Sequence, residues 1–96
     1  MFIRIVRPQI QPGQAREAAK RWQEFAGTRL KENPNLRAGY MAANSDGSAL
    51  VAVTLWDQLP DEAATRQFQS EIQAKMQDIM AGPPPPFEEY EVLAEI

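Results

Sequence analysis

Between Ala49 and Asp57 the chain reads Ala-Leu-Val-Ala-Val-Thr-Leu-Trp-Asp, an apolar, β-branched run bounded by a Gly/Ser turn and a Pro-containing break. It is too short for a stand-alone helix and predicts an interior strand. Side chains alternate along a strand, so Val51, Val53 and Leu55 point one way and Leu50, Ala52, Thr54 and Trp56 the other. Both sets are apolar enough to want cover. Phe2 to Val6 alternates in the same manner and ends at Arg7-Pro8, where proline removes an amide donor. From Gln14 the apolar residues Ala15, Ala18, Ala19, Trp22, Phe25, Ala26 and Leu30 form a single helical stripe that should stop near Glu32, before Asn33-Pro34-Asn35.

Leu36 to Ala43 predicts a second strand, in which Gly39 marks a bulge or a close backbone approach. Asn44-Ser-Asp-Gly-Ser48 supplies residues that tolerate positive φ, so this strand and the next should form a hairpin. After Asp57, Asp61 or a neighbour is placed to cap a second helix carrying Phe68, Ile72, Met76 and Ile79 on one stripe, with Gly82 as its stop. Pro83 to Pro86 must be an extended, stiff spacer. Phe87 to Ile96 is the last predicted strand.

The order strand, helix, strand, strand, helix, strand predicts an α+β, ferredoxin-like β-α-β-β-α-β fold: a four-stranded antiparallel sheet with two helices on one face. Parity sorts the strand residues. Ile3, Ile5, Val51, Val53, Leu55, Tyr90, Val92 and Ala94 form a coherent apolar set expected to lie under the helices. Phe2, Arg4, Val6, Leu50, Ala52, Thr54, Trp56, Glu89, Glu91 and Leu93 are then expected on the opposite face, where their large apolar members call for cover by a second copy of the chain. Arg4 is positioned to pair with Glu89 or Glu91 of the neighbouring strand, which offsets the cost of burying either charge alone.

Composition narrows the chemistry. With 96 residues the chain is read as one domain, residues 1–96. It has no cysteine and no histidine, which removes disulfides, thiolate ligands, cysteine nucleophiles and the commonest general base and haem or zinc ligand. Neither a signal peptide nor a membrane span is legible, and the expected location is the cytoplasm. Residues 1–37 hold eight of the ten Lys/Arg and three of the thirteen acids, a local charge of +5, against −8 for residues 38–96. The acidic total and the lack of a basic cluster interleaved with aromatics weigh against nucleic acid as a partner. The two halves are expected to complement each other, within the fold or across a dimer.

Val53-Thr54-Leu55-Trp56-Asp57, followed by a helix containing Phe68 and by a last strand after a Pro-rich connection, resembles the antibiotic-biosynthesis monooxygenase type of domain in the dimeric α+β barrel superfamily. The resemblance covers essentially the whole chain. It implies a homodimer through the sheet face with a small pocket per subunit. One group of such proteins oxidises polycyclic phenols with molecular oxygen and no metal or flavin: the deprotonated substrate itself reduces oxygen in a dry pocket carrying a Trp and anion-stabilising groups. Trp56 matches that Trp, while Ala52 stands where the group has an Asn four residues before it. A haem-degrading group uses an axial His and a first-strand Asn; this chain has no histidine, and Val6 occupies the Asn position.

The expected activity is that of a cofactor-independent monooxygenase-like protein acting on a small hydrophobic aromatic, phenolic or quinone-type, with no cofactor and no metal. Trp56, Tyr40 and Arg4 are the candidate catalytic residues, with Tyr90 and Arg37 as further sources of proton transfer or anion stabilisation. The competing readings are a non-catalytic ligand-binding or accessory homodimer of the same fold, and an isomerase or lyase using the same pocket. For Trp56 and the tyrosines the competing role is core or interface packing, and for Arg4 an internal ion pair.

Overall fold

A computed structural model describes residues 1–96. The elements follow in the order β1 (Phe2–Val6), α1 (Ala15–Lys31), β2 (Leu36–Ala43), β3 (Leu50–Trp56), α2 (Glu62–Met76), a 3-10 turn (Gln77–Ile79) and β4 (Glu88–Glu91). The four strands form one antiparallel sheet in the order β2-β3-β1-β4, with the two helices against one face: the ferredoxin-like arrangement. No helix is long and apolar enough to cross a membrane.

Local chemistry explains most boundaries. Gly47 takes φ +74° in the hairpin turn, and Asn44 closes that turn by accepting from the Ala49 amide at 3.0 Å. Asp61 caps α2, its Oδ1 accepting from the Ala64 N–H at 2.7 Å. The α-helix ends at Met76, earlier than the Gly82 stop the sequence suggests. A short antiparallel bridge explains the difference: Gln11 N–H donates to Ile79 O at 2.9 Å and Ala81 N–H to Gln9 O at 2.8 Å, drawing the chain out of helical geometry. Likewise β4 is shorter than the expected Phe87–Ile96. Glu91 already pairs with Phe2 and the Val92 amide with Met1 O, so residues 93–96 run past the end of β1 and have no strand to pair with.

The two parity sets are kept together as expected, but their assignment to the faces is reversed. Leu50, Ala52, Thr54 and Trp56 alternate as the buried positions of β3, and Arg4 is the buried position of β1. Ile3, Ile5, Val51, Val53 and Leu55 are only half-buried, on the face that no helix covers. Steric fit and charge compensation decide this. The helices bring Trp22 and Phe68 onto the sheet and need small residues beneath them, and Gly39, Ala52 and Thr54 supply that room. Arg4, placed by parity on the opposite face in a pair with Glu89 or Glu91, lies beneath the helices instead, with Glu89 as its partner at 3.3 Å.

The uneven charge distribution is resolved inside the chain. Arg4–Glu89, Arg7–Glu88, Arg21–Asp78, Arg29–Glu71 and Arg37–Asp57 each join the basic first half to the acidic second half. Arg21 grips Asp78 with two nitrogens, at 2.6 and 3.2 Å, and also donates to Lys75 O at 3.0 Å, which pins the end of α2 to α1. The Arg21 hydrogen bond is the main cause that holds the Asp78 carboxyl below its usual range. A carboxyl depressed in the folded state stabilises the fold above its unfolded value, and that contribution is lost as pH falls through the lowered folded value. Asp78→Asn should therefore flatten the decline of urea stability between about pH 5 and pH 2, with wild type and variant converging at the acid end; parallel profiles would show that the clamp does not contribute.

Candidate functional site

The register places one row of residues across the helix-facing side of the sheet: Gly39 on β2, Thr54 on β3, Arg4 on β1 and Glu89 on β4. Direct cross-strand neighbours have Cβ atoms about 4.5–5.5 Å apart, so the Thr54 hydroxyl and the Arg4 side chain rise side by side from the sheet. The row on one side of it contributes Trp56, and the row on the other side contributes Ala52 and Val6. Above this floor stand Trp22 from α1 and Thr65 and Phe68 from α2, with Phe87 closing one side after the proline run. With Arg4, Thr54, Trp56, Ala52 and Val6 of the floor they line a cavity of about 140 Å³, which Gly39 and Glu89 adjoin without lining.

Arg4 is its charged centre. The side chain is 6% exposed. One terminal nitrogen donates to Thr65 Oγ1 at 3.1 Å and to Glu89 Oε1 at 3.3 Å. The guanidinium carbon lies 4.9 Å from the Phe87 ring centre and 5.9 Å from that of Trp56, within the range in which a cation is attracted to an aromatic face. Arg4 Nε is buried with no hydrogen-bond partner. Burial pushes the Arg4 pKa down, and the charge and hydrogen bond of Glu89 push it back. The group remains a cation, because a free guanidinium starts so far above neutral pH.

Trp56 is 1% exposed and donates its indole N–H to Thr54 Oγ1 at 2.7 Å. With that oxygen accepting, the Thr54 O–H is left as a donor. The site thus offers a buried cation and a neighbouring hydroxyl, walled by the rings of Trp22, Phe68 and Phe87. Phe68 is held in place by Phe25, whose ring stacks on it with centroids 5.9 Å apart. At the α1 end of the cavity, Asn33 and Arg29 complete the wall, and Arg29 is tied to Glu71 at 3.2 Å.

A second, apolar cavity of about 90 Å³ adjoins the first and shares Val6, Trp22, Ala52, Phe68 and Phe87 with it. A larger groove of about 380 Å³ lies between the start of α1 and the β2–β3 turn. Its walls are mainly alanines and turn residues, with no buried charged group, and it offers no converging chemistry.

Of the residues singled out from sequence, Trp56 and Arg4 meet in the cavity. Tyr40 lies elsewhere: it pairs with Val53 on the uncovered face and is 62% exposed. Tyr90 shares that face, its hydroxyl bonded to Glu88 at 3.0 Å, and this bond to a carboxylate raises its pKa. Arg37 sits on the surface at the β2 irregularity and pairs with Asp57. Trp22, Thr65 and Phe87 were not foreseen as site residues. Thr65 precedes Phe68 by three positions and so shares its helix face, and Phe87 is the first side chain after a rigid spacer; those were the available signals.

Comparison with known proteins fits this geometry. No family model matches the chain, and no curated protein does. Among solved structures, the chain is similar to the monooxygenase from the gene ActVA-Orf6 of Streptomyces coelicolor, solved in complex with nanaomycin D, with a TM-score of 0.74 and 17% identity over 99% of this chain and 89% of that one. A candidate antibiotic biosynthesis monooxygenase from Bordetella bronchiseptica gives a TM-score of 0.74 at 13% identity, over 97% of each chain. One from Nitrosomonas europaea gives 0.72 at 13%, over 98% of this chain and 100% of that one. At these identities the likeness is one of fold.

The Trp56–Thr54 bond is open to measurement. Thr54→Val keeps the shape but leaves a buried indole N–H unpaired, which should cost about 1–3 kcal/mol in urea unfolding. Adding Trp56→Phe should make the two changes non-additive, because the second removes the orphaned donor; strict additivity would show that the bond carries no coupling.

Proposed function

We propose that this chain, built on the fold of antibiotic biosynthesis monooxygenase structures, is a cofactor-independent monooxygenase-like protein acting on a small aromatic substrate with an acidic hydroxyl, and that it works as a homodimer. One observation carries the reading: Arg4, a cation with an unpartnered N–H, is buried in an aromatic-walled cavity next to a hydroxyl donor. Structural ion pairs rarely need a cavity, and greasy cavities rarely need a buried cation. A cavity of this size suits one or two fused rings.

An arginine held in low dielectric favours the ionised form of a bound phenol or hydroquinone, whose proton is lost to water. The electron-rich anion gives one electron to dioxygen. The radical pair then joins in a new C–O bond, and the peroxide anion takes one proton back from water to become a hydroperoxide. Loss of the hydrogen on that carbon with cleavage of the O–O bond releases water and leaves a carbonyl. In this scheme Arg4 and the Thr54 hydroxyl hold the negative oxygen, and Trp56, Trp22 and Phe68 sandwich the ring and exclude water. Trp56 and Arg4 are the proposed catalytic residues. Tyr40 is assigned to the dimer surface instead.

The uncovered sheet face, with Ile3, Ile5, Val51, Val53 and Leu55 half-buried and Tyr40 and Tyr90 exposed, is proposed as the dimer interface. Only nine of the 96 residues are buried in the single chain, so the sheet gains most of its remaining cover there. This is the face opposite to the one that sequence parity pointed to. A non-catalytic ligand-binding role is the second reading, and the lack of a carboxylate or other neutral-pH base among the cavity-lining residues favours it.

Oxygen uptake with a panel of hydroquinones and naphthohydroquinones, which have one and two rings, separates the two. Wild type should consume oxygen, Arg4→Met should lose about 10²-fold in kcat/KM, and Trp56→Phe should lose less; binding without uptake would leave the binding role. Arg4→Met takes away the partner of Glu89 and the donor to Thr65, so it should be less stable than wild type in urea. The loss should be about 1–3 kcal/mol, because the half-exposed Glu89 is re-solvated, and the activities are compared under conditions in which both are folded. Light scattering at micromolar concentration should give twice the chain mass, and Val53→Glu should reduce it to the monomer.

A further inference from the structure

The two adjoining cavities differ in character. The one around Arg4 has polar groups on its floor, whereas the other is lined by Ile10, Met41, Ile72, Met76 and Met80 and roofed by Pro84 and Pro85. The residues common to both form a waist in which three rings, Trp22, Phe68 and Phe87, stand around the small side chains of Val6 and Ala52. The shared lining carries no charged side chain, and its one polar side-chain group is the Trp22 indole N–H. The roof is held from inside, since Gln69 Nε2 donates to Pro85 O at 3.5 Å, and a proline run keeps its extended form without help from hydrogen bonds.

An apolar recess beside a polar one, with a shared and mostly apolar lining, is complementary to a molecule with one polar end. Methionines on two sides of the recess make it adaptable in shape. Resting on the functional reading above, we propose that the two cavities are one elongated binding site, and that its ligand is amphipathic. An acidic hydroxyl on an aromatic ring lies at Arg4 and Thr54, and an alkyl or second apolar portion passes Phe68 and Phe87 to end under Pro84 and Pro85. The recess then sets substrate length, and Ile72 and Met80 are specificity-determining residues. The proline strap is the wall that the far end of the ligand touches.

The test is a binding series of 4-alkylphenols, from methyl to heptyl, followed through quenching of Trp22 and Trp56 fluorescence. In wild type, affinity should rise roughly three- to fourfold per methylene until the recess is full, and then level off. In Ile72→Phe, and independently in Met80→Phe, the rise should stop about two carbons earlier with the methyl member unaffected. If 4-methylphenol binds in wild type and fails to bind in Arg4→Met, but longer chains gain nothing, the elongated site is overturned while the Arg4 reading stands. A chain-length gain unchanged in both Phe variants also overturns it, because the alkyl portion then lies outside the recess. Absence of binding by every member overturns both readings.

Discussion

A guanidinium buried inside a protein with one sheet and two helices is the constraint on which the rest of this molecule turns. Taking Arg4 out of water carries a desolvation cost that no single contact offsets. Here the cost is divided: Glu89 supplies an opposite charge, Thr65 an acceptor, and Phe87 and Trp56 the negative faces of their rings. Each partner comes from a different element, β4, α2, the segment after the prolines, and β3. The charge therefore fastens the sheet to the second helix and to the last strand, and none of these can shift without stranding it. One nitrogen, Nε, is left out of the arrangement, and that omission turns a structural device into a candidate site.

Register converts this local arrangement into a surface with chemistry. Since antiparallel partners share a face, aligning Thr54 with Arg4 and Arg4 with Glu89 sets a hydroxyl, a cation and a carboxylate in one line, with the glycine of β2 at its end. A slip of one residue in either pairing would scatter them over both faces. Trp56 is next in the adjacent row and borrows the same threonine to satisfy its N–H. The most buried aromatic and the most buried charge are thus coupled through two neighbouring strands.

Much of this organisation was legible in the residues. Periodicities of two and of 3.6 identified every strand and helix, the Asn44–Ser48 turn announced the hairpin, and Asp61 announced the second cap. Chain-wide charge asymmetry correctly anticipated pairing between the halves. The inner and outer faces of the sheet were not legible, because both parity sets carry large apolar residues and the charges of Arg4, Glu89 and Glu91 in one of them argued for the wrong side. What decides between them is the size of the helix residues that descend onto the sheet, and complementarity between distant elements leaves no periodic trace. For the same reason Phe87 and Trp22 could not be recognised as cavity walls from their own neighbourhoods. The shortness of β4 was hidden as well, since a strand extends only as far as its neighbour does, and β1 begins at Phe2.

Gly39 has a wider effect than its own turn of chain. A Cβ at that position would stand 3.4 Å from both the Trp22 ring and the Thr54 methyl, so the bare backbone there is where the indole edge rests on the sheet. Hydrophobic collapse tends to press a helix flat against the strands beneath it and squeeze out voids. A rigid bicyclic ring footed on a glycine acts as a strut against that tendency, propping the first helix at a set height. The hollow beside it is then a product of the scaffold's stiffness rather than of loose packing, and it persists whether or not anything occupies it.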